Sequence, residues 1–269
     1  MTPGSTSSYD EIPDFGVLYD SVPLYAARQD VRFYVEEAAG VRAVLELGCG
    51  TGRVLLPLAR AGCTVVGLDN SWQMLARCRA KIAAEPAAVQ ARITLHHHDV
   101  RSFDLGGGAT YPLVIAPFRV LQQLPAVEDQ LALLAAVTRH VAPGGRFIFD
   151  VFNPDFRMLT GADGVEREDT PETPLPDGRS FRRAFRIARV RWVEQVTESE
   201  LIYYVSPRRG AGAERVVQAF EMRWYLRAEL LHLLARSGFR VAALYGDFAR
   251  GPLGDGAPEQ VVCAVRAAP

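Results

Sequence analysis

Two hydrophobic rhythms alternate through the first half of the chain. Short apolar runs at residues 41–47, 65–68, 93–96, 111–115 and 146–151 show little polar alternation, the pattern of parallel strands buried on both faces. Between them apolar residues recur at helical spacing: Val54, Leu55, Leu56, Leu58 and Ala59; Met74, Leu75 and Ile82; then Leu131, Leu133, Leu134 and Val137 within 126–140. Strand and helix in turn predict an α/β core built on a doubly wound parallel sheet. A Pro-, Asp- and Glu-rich stretch, 163–178, breaks the rhythm and reads as a boundary. Alternating and β-branched segments then return at 185–192, 201–205 and 216–224, with turn-like residues at 194–200 and 206–213, predicting an antiparallel meander. A helix over 227–237, stopped by Gly238, and strands at 240–244 and 260–265 close the sheet. Residues 1–14 read as weakly ordered, and 17–39 has helical spacing rich in aromatics: Tyr19, Tyr25, Phe33 and Tyr34. The expected units are an N-terminal helical segment (1–40), a core (41–152), a meander insert (153–226) and the end of the core sheet (227–269).

The first strand ends in Gly48, Cys49, Gly50, Thr51 and Gly52. Glycine at alternate positions permits positive φ and lets a ligand approach bare backbone at a helix start. The spacing is Gly-x-Gly-x-Gly and not the Gly-x-Gly-x-x-Gly of dinucleotide folds, so a nicotinamide cofactor fits less well. Glu46 lies two residues before the first glycine. The second strand ends at Asp69, 17 residues after Gly52, where a carboxylate can accept both hydroxyls of a ribose. Ser71 is a plausible N-cap for the next helix.

Together these stations resemble the class I S-adenosylmethionine-dependent methyltransferases. The resemblance covers about residues 41–152 and, less specifically, 227–267. It implies a seven-stranded, mostly parallel Rossmann-like sheet in the order 3-2-1-4-5-7-6 with strand 7 antiparallel, the meander being inserted as a lid. It implies S-adenosylmethionine as cofactor, its ammonium held by Glu46, the Gly48, Cys49, Gly50 and Gly52 loop beneath it, and its ribose on Asp69. Asn70 and Met74 then line the adenine side, Asp99 accepts from the exocyclic amine, and the Val100 amide meets a ring nitrogen. Ala116, Pro117 and Phe118, after the fourth strand, take the methionine end, and the Pro-Gly-Gly turn at 143–145 is a hallmark of the family. An N-terminal segment closing over the cofactor contributes a tyrosine in similar members, and Tyr25 is the candidate. The inserted strands and aromatic N-terminus look similar to the bacterial N-methyltransferases of amino sugars and natural products.

The composition is that of a globular chain: 269 residues, 49% hydrophobic, with 30 basic against 31 acidic side chains. No apolar stretch approaches the roughly 20 residues that span a bilayer, and the first 15 residues lack signal-peptide character, so a cytoplasmic protein without membrane partner is expected. The near-zero charge argues against nucleic acid, and four unpaired-looking cysteines against a disulfide framework. His96, His97 and His98 alternate faces on a strand, so no metal site is expected. Monomer and homodimer stay open.

From 179 to 227 there are 11 arginines against 5 glutamates. Such a lid would attract an anionic, carboxylated or phosphorylated acceptor, or else is a solvated face neutralised by the acidic stretch before it. Hydroxyl acceptors need a base, whereas an amine need only arrive neutral. None of the five histidines falls at the end of strand four or five, which favours an amine nitrogen of a small-molecule acceptor over oxygen. Asp150, at the end of strand five, is the candidate for acceptor binding or deprotonation. An O-methyltransferase acting on a metabolite is the alternative, and an NAD(P)-binding oxidoreductase the alternative of another class. A non-catalytic binding protein would not need Glu46, Asp69 and Asp99 together.

Overall fold

Strands apolar on both faces require cover on both, and this chain supplies it with helices from each side. The computed structural model describes residues 8–208 and 212–267. Three short helices, α1 (Phe15–Asp20), α2 (Pro23–Ala26) and α3 (Asp30–Glu37), precede the core. The core runs β1 (Ala43–Leu47), α4 (Leu55–Arg60), β2 (Thr64–Asp69), α5 (Trp72–Ala83), α6 (Ala87–Gln90), β3 (Ile93–His97), β4 (Tyr111–Ala116), α7 (Val127–His140) and β5 (Val141–Phe152). There follow α8 (Phe156–Thr160), the strands β6 (Arg167–Pro174), β7 (Ser180–Arg191), β8 (Val196–Ser206) and β9 (Glu214–Arg223), then α9 (Arg227–Arg236), β10 (Phe239–Tyr245) and β11 (Glu259–Arg266).

The large sheet has the order β10-β11-β5-β4-β1-β2-β3, with β11 antiparallel to its neighbours, which is the expected order and direction. Alternate side chains divide between two cores. Leu45, Leu47, Phe147 and Phe149 pack with Leu133, Leu134 and Val137 of α7 and with Leu230 and Leu234 of α9. Val44, Leu113, Ile115 and Ile148 pack on the other side with Phe33 and Tyr34 of α3, Leu55 and Leu58 of α4 and Leu75 of α5. The Pro-Gly-Gly turn is absorbed into β5: a register shift against β4 lies there, and Gly144 takes φ 71°.

Four features depart from the sequence reading. The 163–178 stretch is not only a boundary, because β6 pairs with β7 as the edge of a four-stranded sheet, β6-β7-β8-β9. Prolines are tolerated on an edge strand, and Pro171 falls within the register shift between Thr170 and Thr173. β8 begins at Val196, within the residues read as a turn, since Thr-Glu-Ser-Glu alternates polar groups that pair in the ladder with β7. The expected turn at 206–213 lies partly outside the described residues, at 209–211. Residues 17–39 form three helices instead of one continuous run.

The fourth concerns residues 8–14, which are packed where weak order was expected. Ile12 and Phe15 share a buried cluster with Met74, Phe181, Tyr203 and Val205. Asp10 accepts from the Ser71 hydroxyl at 2.6 Å and the Gln73 amide at 3.0 Å, capping α5 from outside, while the Ser71 hydroxyl accepts from the Met74 amide as N-cap. Asp20 accepts from Thr51 Oγ1 at 2.6 Å, Arg77 Nε at 2.8 Å and Lys81 Nζ at 3.1 Å. The chain's single lysine thus helps anchor the N-terminal segment to the glycine loop.

Gly52 shows why that loop admits no side chain. Its φ is +83°, and a Cβ there would lie 2.8 Å from Cys78 Sγ on α5. Gly52→Ala is therefore expected to destabilise the fold by about 1–3 kcal/mol, read as a lower denaturant midpoint at unchanged m-value.

Candidate active site

A cleft of about 710 Å³ opens between the carboxyl ends of the core strands and the second sheet. Parallel strands leave their ligand-binding loops at this edge. Of the residues expected to hold the cofactor, Glu46, Gly48, Cys49, Gly50, Asp69, Asn70, Met74, Asp99, Val100, Pro117 and Phe118 line it. Gly48 takes φ +67°, and a Cβ on it would meet Val120 Cγ2 at 2.6 Å, so the close approach of chain to chain forbids a side chain there.

The carboxylates differ in how they are held. Asp69 spans the glycine loop: Oδ2 accepts from the Gly50 amide at 2.8 Å and Oδ1 from the Ser71 amide at 2.9 Å. Burial nevertheless pushes its pKa up to about 6, against those two hydrogen bonds. Asp99 is oriented by Arg101, whose amide and Nε both donate at 2.9 Å, and Arg101 also reaches Asp129 at 3.2 Å. Burial works against that carboxylate, but the Arg101 donors hold it below its ordinary value. Glu46 is 2% exposed, and its Oε2 has no partner. Burial pushes its pKa well above the usual carboxylate range, despite the field of Arg53.

Four expected residues lie off the lining. Gly52 packs on α5, and Ala116 is fully buried. Tyr25 stands behind Phe118, their ring centroids 5.0 Å apart, and its hydroxyl accepts from Arg183 Nη1 at 2.6 Å. Tyr19 and Tyr9 line the cleft in its place, because α1 and the turn before it, not α2, cross its mouth. Asp150 also sits behind the wall. It is fully buried, and its Oδ1 accepts from the Tyr34 hydroxyl at 2.7 Å and the Phe118 amide at 2.9 Å. The structure thus places its carboxylate where it holds the Phe118 loop, away from the acceptor space. Burial raises its pKa to about 6, partly offset by Arg28 at 3.5 Å.

That hold is needed. Phe118 and Arg119 have φ 61° and 68°, two successive left-handed residues without glycine's freedom. The Phe118 ring lies 4.9 Å from the guanidinium of Arg28 and 4.9 Å from that of Arg53. The sequence reading missed Arg53, which lines the cleft one residue past the glycine loop; only its position next to Gly52 signals it.

The lid contributes Ala188, Glu198, Ser199, Glu200, Ala219, Phe220 and Glu221 to the lining. Several of its arginines are engaged: Arg183 with Asp169, Arg186 with Glu200, Arg191 with Glu198 and Glu221, Arg215 with Glu166 and Arg223 with Glu229. On the lid wall of the cleft stand Glu198, Glu200 and Glu221, each paired with an arginine, and no arginine of the insert is among the lining residues.

A family model described as a methyltransferase domain matches residues 44–145. Across 98% of this chain and 99% of the other, the fold superposes on the CcbJ methyltransferase from Streptomyces caelestis with a TM-score of 0.75 and 26% identity. The match and the superposition support a class I S-adenosylmethionine-dependent methyltransferase. Two sequence relatives of the methyltransferase agree. A cypemycin N-terminal methyltransferase from a Streptomyces species is 27% identical over 214 residues, 78% of each chain. A dTDP-3-amino-3,4,6-trideoxy-alpha-D-glucopyranose N,N-dimethyltransferase from Streptomyces venezuelae is 28% identical over 214 residues, 80% of each.

The residues present fit the cofactor of this methyltransferase. A buried carboxylate oxygen without a partner, Glu46 Oε2, suits an ammonium, and the bare Gly48–Gly50 backbone suits the adenosyl group above it. No helix among the described residues is long and apolar enough to cross a membrane.

Two outcomes follow. A ribose hydroxyl donates more strongly to an ionised carboxylate than to a protonated one, so with a ribose on Asp69 S-adenosylhomocysteine affinity is expected to rise with pH up to about 6 and flatten above it. Asp69→Asn should lose that rise and weaken binding by about 1–3 kcal/mol in calorimetry. Asp150→Ala leaves two buried donors and Arg28 short of an acceptor, and a loss of about 3–5 kcal/mol in chemical denaturation is expected.

Proposed function

We propose that this methyltransferase methylates an amine nitrogen of a small molecule seated between the donor loop and the lid. The observation that carries the reading is the lid wall: Glu198, Glu200 and Glu221 face the acceptor space, and no histidine is among the cleft-lining residues. An acidic wall draws a protonated amine and offers an acceptor for the proton it must lose. A hydroxyl acceptor would need a strong, well-placed base, for which these arginine-paired carboxylates are poorly suited. Relatives named as an N,N-dimethyltransferase of a dTDP-amino sugar and as a cypemycin N-terminal methyltransferase support the same class of acceptor.

Bound S-adenosylmethionine supplies an electrophilic methyl group on a sulfonium whose departure needs no protonation. The chain's share is then positioning and exclusion of water. Phe118, fixed by Asp150 from behind, and Tyr19 wall the methionine end. Tyr9, partly buried and with its pKa pushed up to about 12, chiefly by desolvation, stays a neutral hydroxyl in the working pH range. With the donor bound, the chain would have to present the acceptor nitrogen neutral, its lone pair toward the donor's methyl group, and Glu198, Glu200, Glu221 or solvent would take the surplus proton.

A panel of amino sugars, peptide amines and their hydroxyl counterparts, incubated with methyl-labelled donor, tests this. Label is expected in N-methyl groups, with a rate that climbs with pH until the free amine is deprotonated. Transfer to hydroxyl compounds alone would refute the amine reading.

A further inference from the structure

Two adjacent glutamines end the 3₁₀ turn Val120–Gln123, and the fold uses them in opposite ways. Gln122 is fully buried: its Nε2 donates to the Arg223 carbonyl at 2.7 Å and its Oε1 accepts from the Phe152 amide at 2.8 Å. The turn is thereby fastened to the ends of β9 and β5. Gln123 is exposed, and the space it faces is the cleft, which it lines together with Val120. Residues three apart in a 3₁₀ helix share a face, and Val120 is the residue that closes over Gly48 of the donor loop. On the other side, Gln123 reaches the lid through Tyr9, whose hydroxyl is within hydrogen-bonding reach of both Gln123 and Gln218 of β9. Gln218 is 4% exposed, so Tyr9 is anchored from behind. Both amides act on Tyr9 as N–H donors. A glutamine that turns its N–H to Tyr9 turns its carbonyl oxygen away from it, toward the open cleft.

A neutral acceptor oxygen is thus held between the donor loop and the lid. We propose that Gln123 Oε1 accepts an N–H of the acceptor amine and so aims the nitrogen lone pair at the donor's methyl group. Gln122 and Tyr9 are positioning residues: one fixes the backbone of the turn, the other the plane of the Gln123 amide. An amide suits this task better than a carboxylate. A carboxylate at the reacting nitrogen would hold the acceptor as its ammonium, which has no lone pair, whereas an amide oxygen lets the amine arrive neutral. A limit on the product follows. Primary and secondary amines have an N–H to give and a tertiary amine has none, so methylation should stop at the tertiary nitrogen and not reach a quaternary one. The inference rests on the amine reading above and adds the residue that orients the nitrogen.

The test uses whichever amine of the panel wild-type enzyme methylates fastest, with its N-methyl and N,N-dimethyl derivatives, and follows products by mass spectrometry. Gln123→Met keeps the length of the side chain and removes the oxygen. It is expected to melt as wild type does and to bind S-adenosylhomocysteine within about twofold, while kcat falls about 30- to 100-fold. Gln123→Glu keeps an acceptor oxygen but favours the ammonium, so its kcat should recover in part, with the rise in rate displaced to higher pH. Wild type should give no quaternary product. If Gln123→Met does not melt cooperatively, the pH profile of Gln123→Glu decides. Wild-type kcat in a folded Gln123→Met variant, an unshifted profile in Gln123→Glu, or ready methylation of the N,N-dimethyl compound would overturn the assignment. So would a Gln123→Met variant whose donor affinity falls in step with kcat, since the residue would then serve the donor. Wild type that methylates no amine of the panel overturns the amine reading itself, a failure seen before any variant is made.

Discussion

A buried chain of charges behind Phe118 holds the working edge of this protein together. Asp30 is shared by Arg53 and Arg28; Arg28 reaches Asp150 and Glu259; Glu259 also meets Arg119 at 3.0 Å. These six residues come from the N-terminal helices, the start of α4, the loop after β4, β5 and β11. Charges removed from water must find partners, and each here finds its partner on a segment distant in sequence. The network therefore closes only when the N-terminal segment is docked and the last strand is in the sheet. Several of its atoms, Arg28 Nη2, Asp150 Oδ2 and Glu259 Oε2 among them, have no hydrogen-bond partner, so it is a costly arrangement. Its return is functional: it keeps Phe118 and Arg119 in left-handed backbone and sets Arg53 at the cleft.

The donor half of the cleft follows from backbone geometry more than from side chains. Gly48 and Gly50 leave room above β1, and Asp69 ties the loop to the end of β2 through two amides. The same carboxylate that braces the loop is available to a ribose, since each oxygen retains a lone pair. Both Asp69 and Glu46 have raised pKa values because burial disfavours their charge, and a ligand that donates hydrogen bonds or brings a cation relieves that penalty.

The lid shows how a charge count can mislead. Its arginines outnumber its glutamates in sequence, yet pairing across β7, β8 and β9 and with the 163–169 stretch engages many of them, and the lining carries glutamates and no arginine of the lid. Net charge over a segment says nothing about which face each side chain takes. In a β-sheet that is decided by register, and a bulge such as that between Ile187 and Arg189 changes it locally.

The sequence by itself determined the alternating α/β core and, through its resemblance to a known family, implied the strand order and the methyl donor. Continuous apolar runs can be satisfied only by burial on both faces, and Gly48, Glu46, Asp69 and Asp99 fall at strand ends, where chain order and spatial place coincide. It also indicated an aromatic N-terminal cover. Tertiary structure alone decided that Tyr19 and Tyr9, not Tyr25, line the cleft, that Asp150 props Phe118 from behind, and that Arg53 belongs to the site. Those outcomes depend on how helices dock and which buried charges meet across 20 to 230 residues of chain, and no local pattern of polar and apolar positions encodes such pairings. The Pro-rich β6 was hidden for a related reason: only its place at the edge of a sheet makes its prolines admissible.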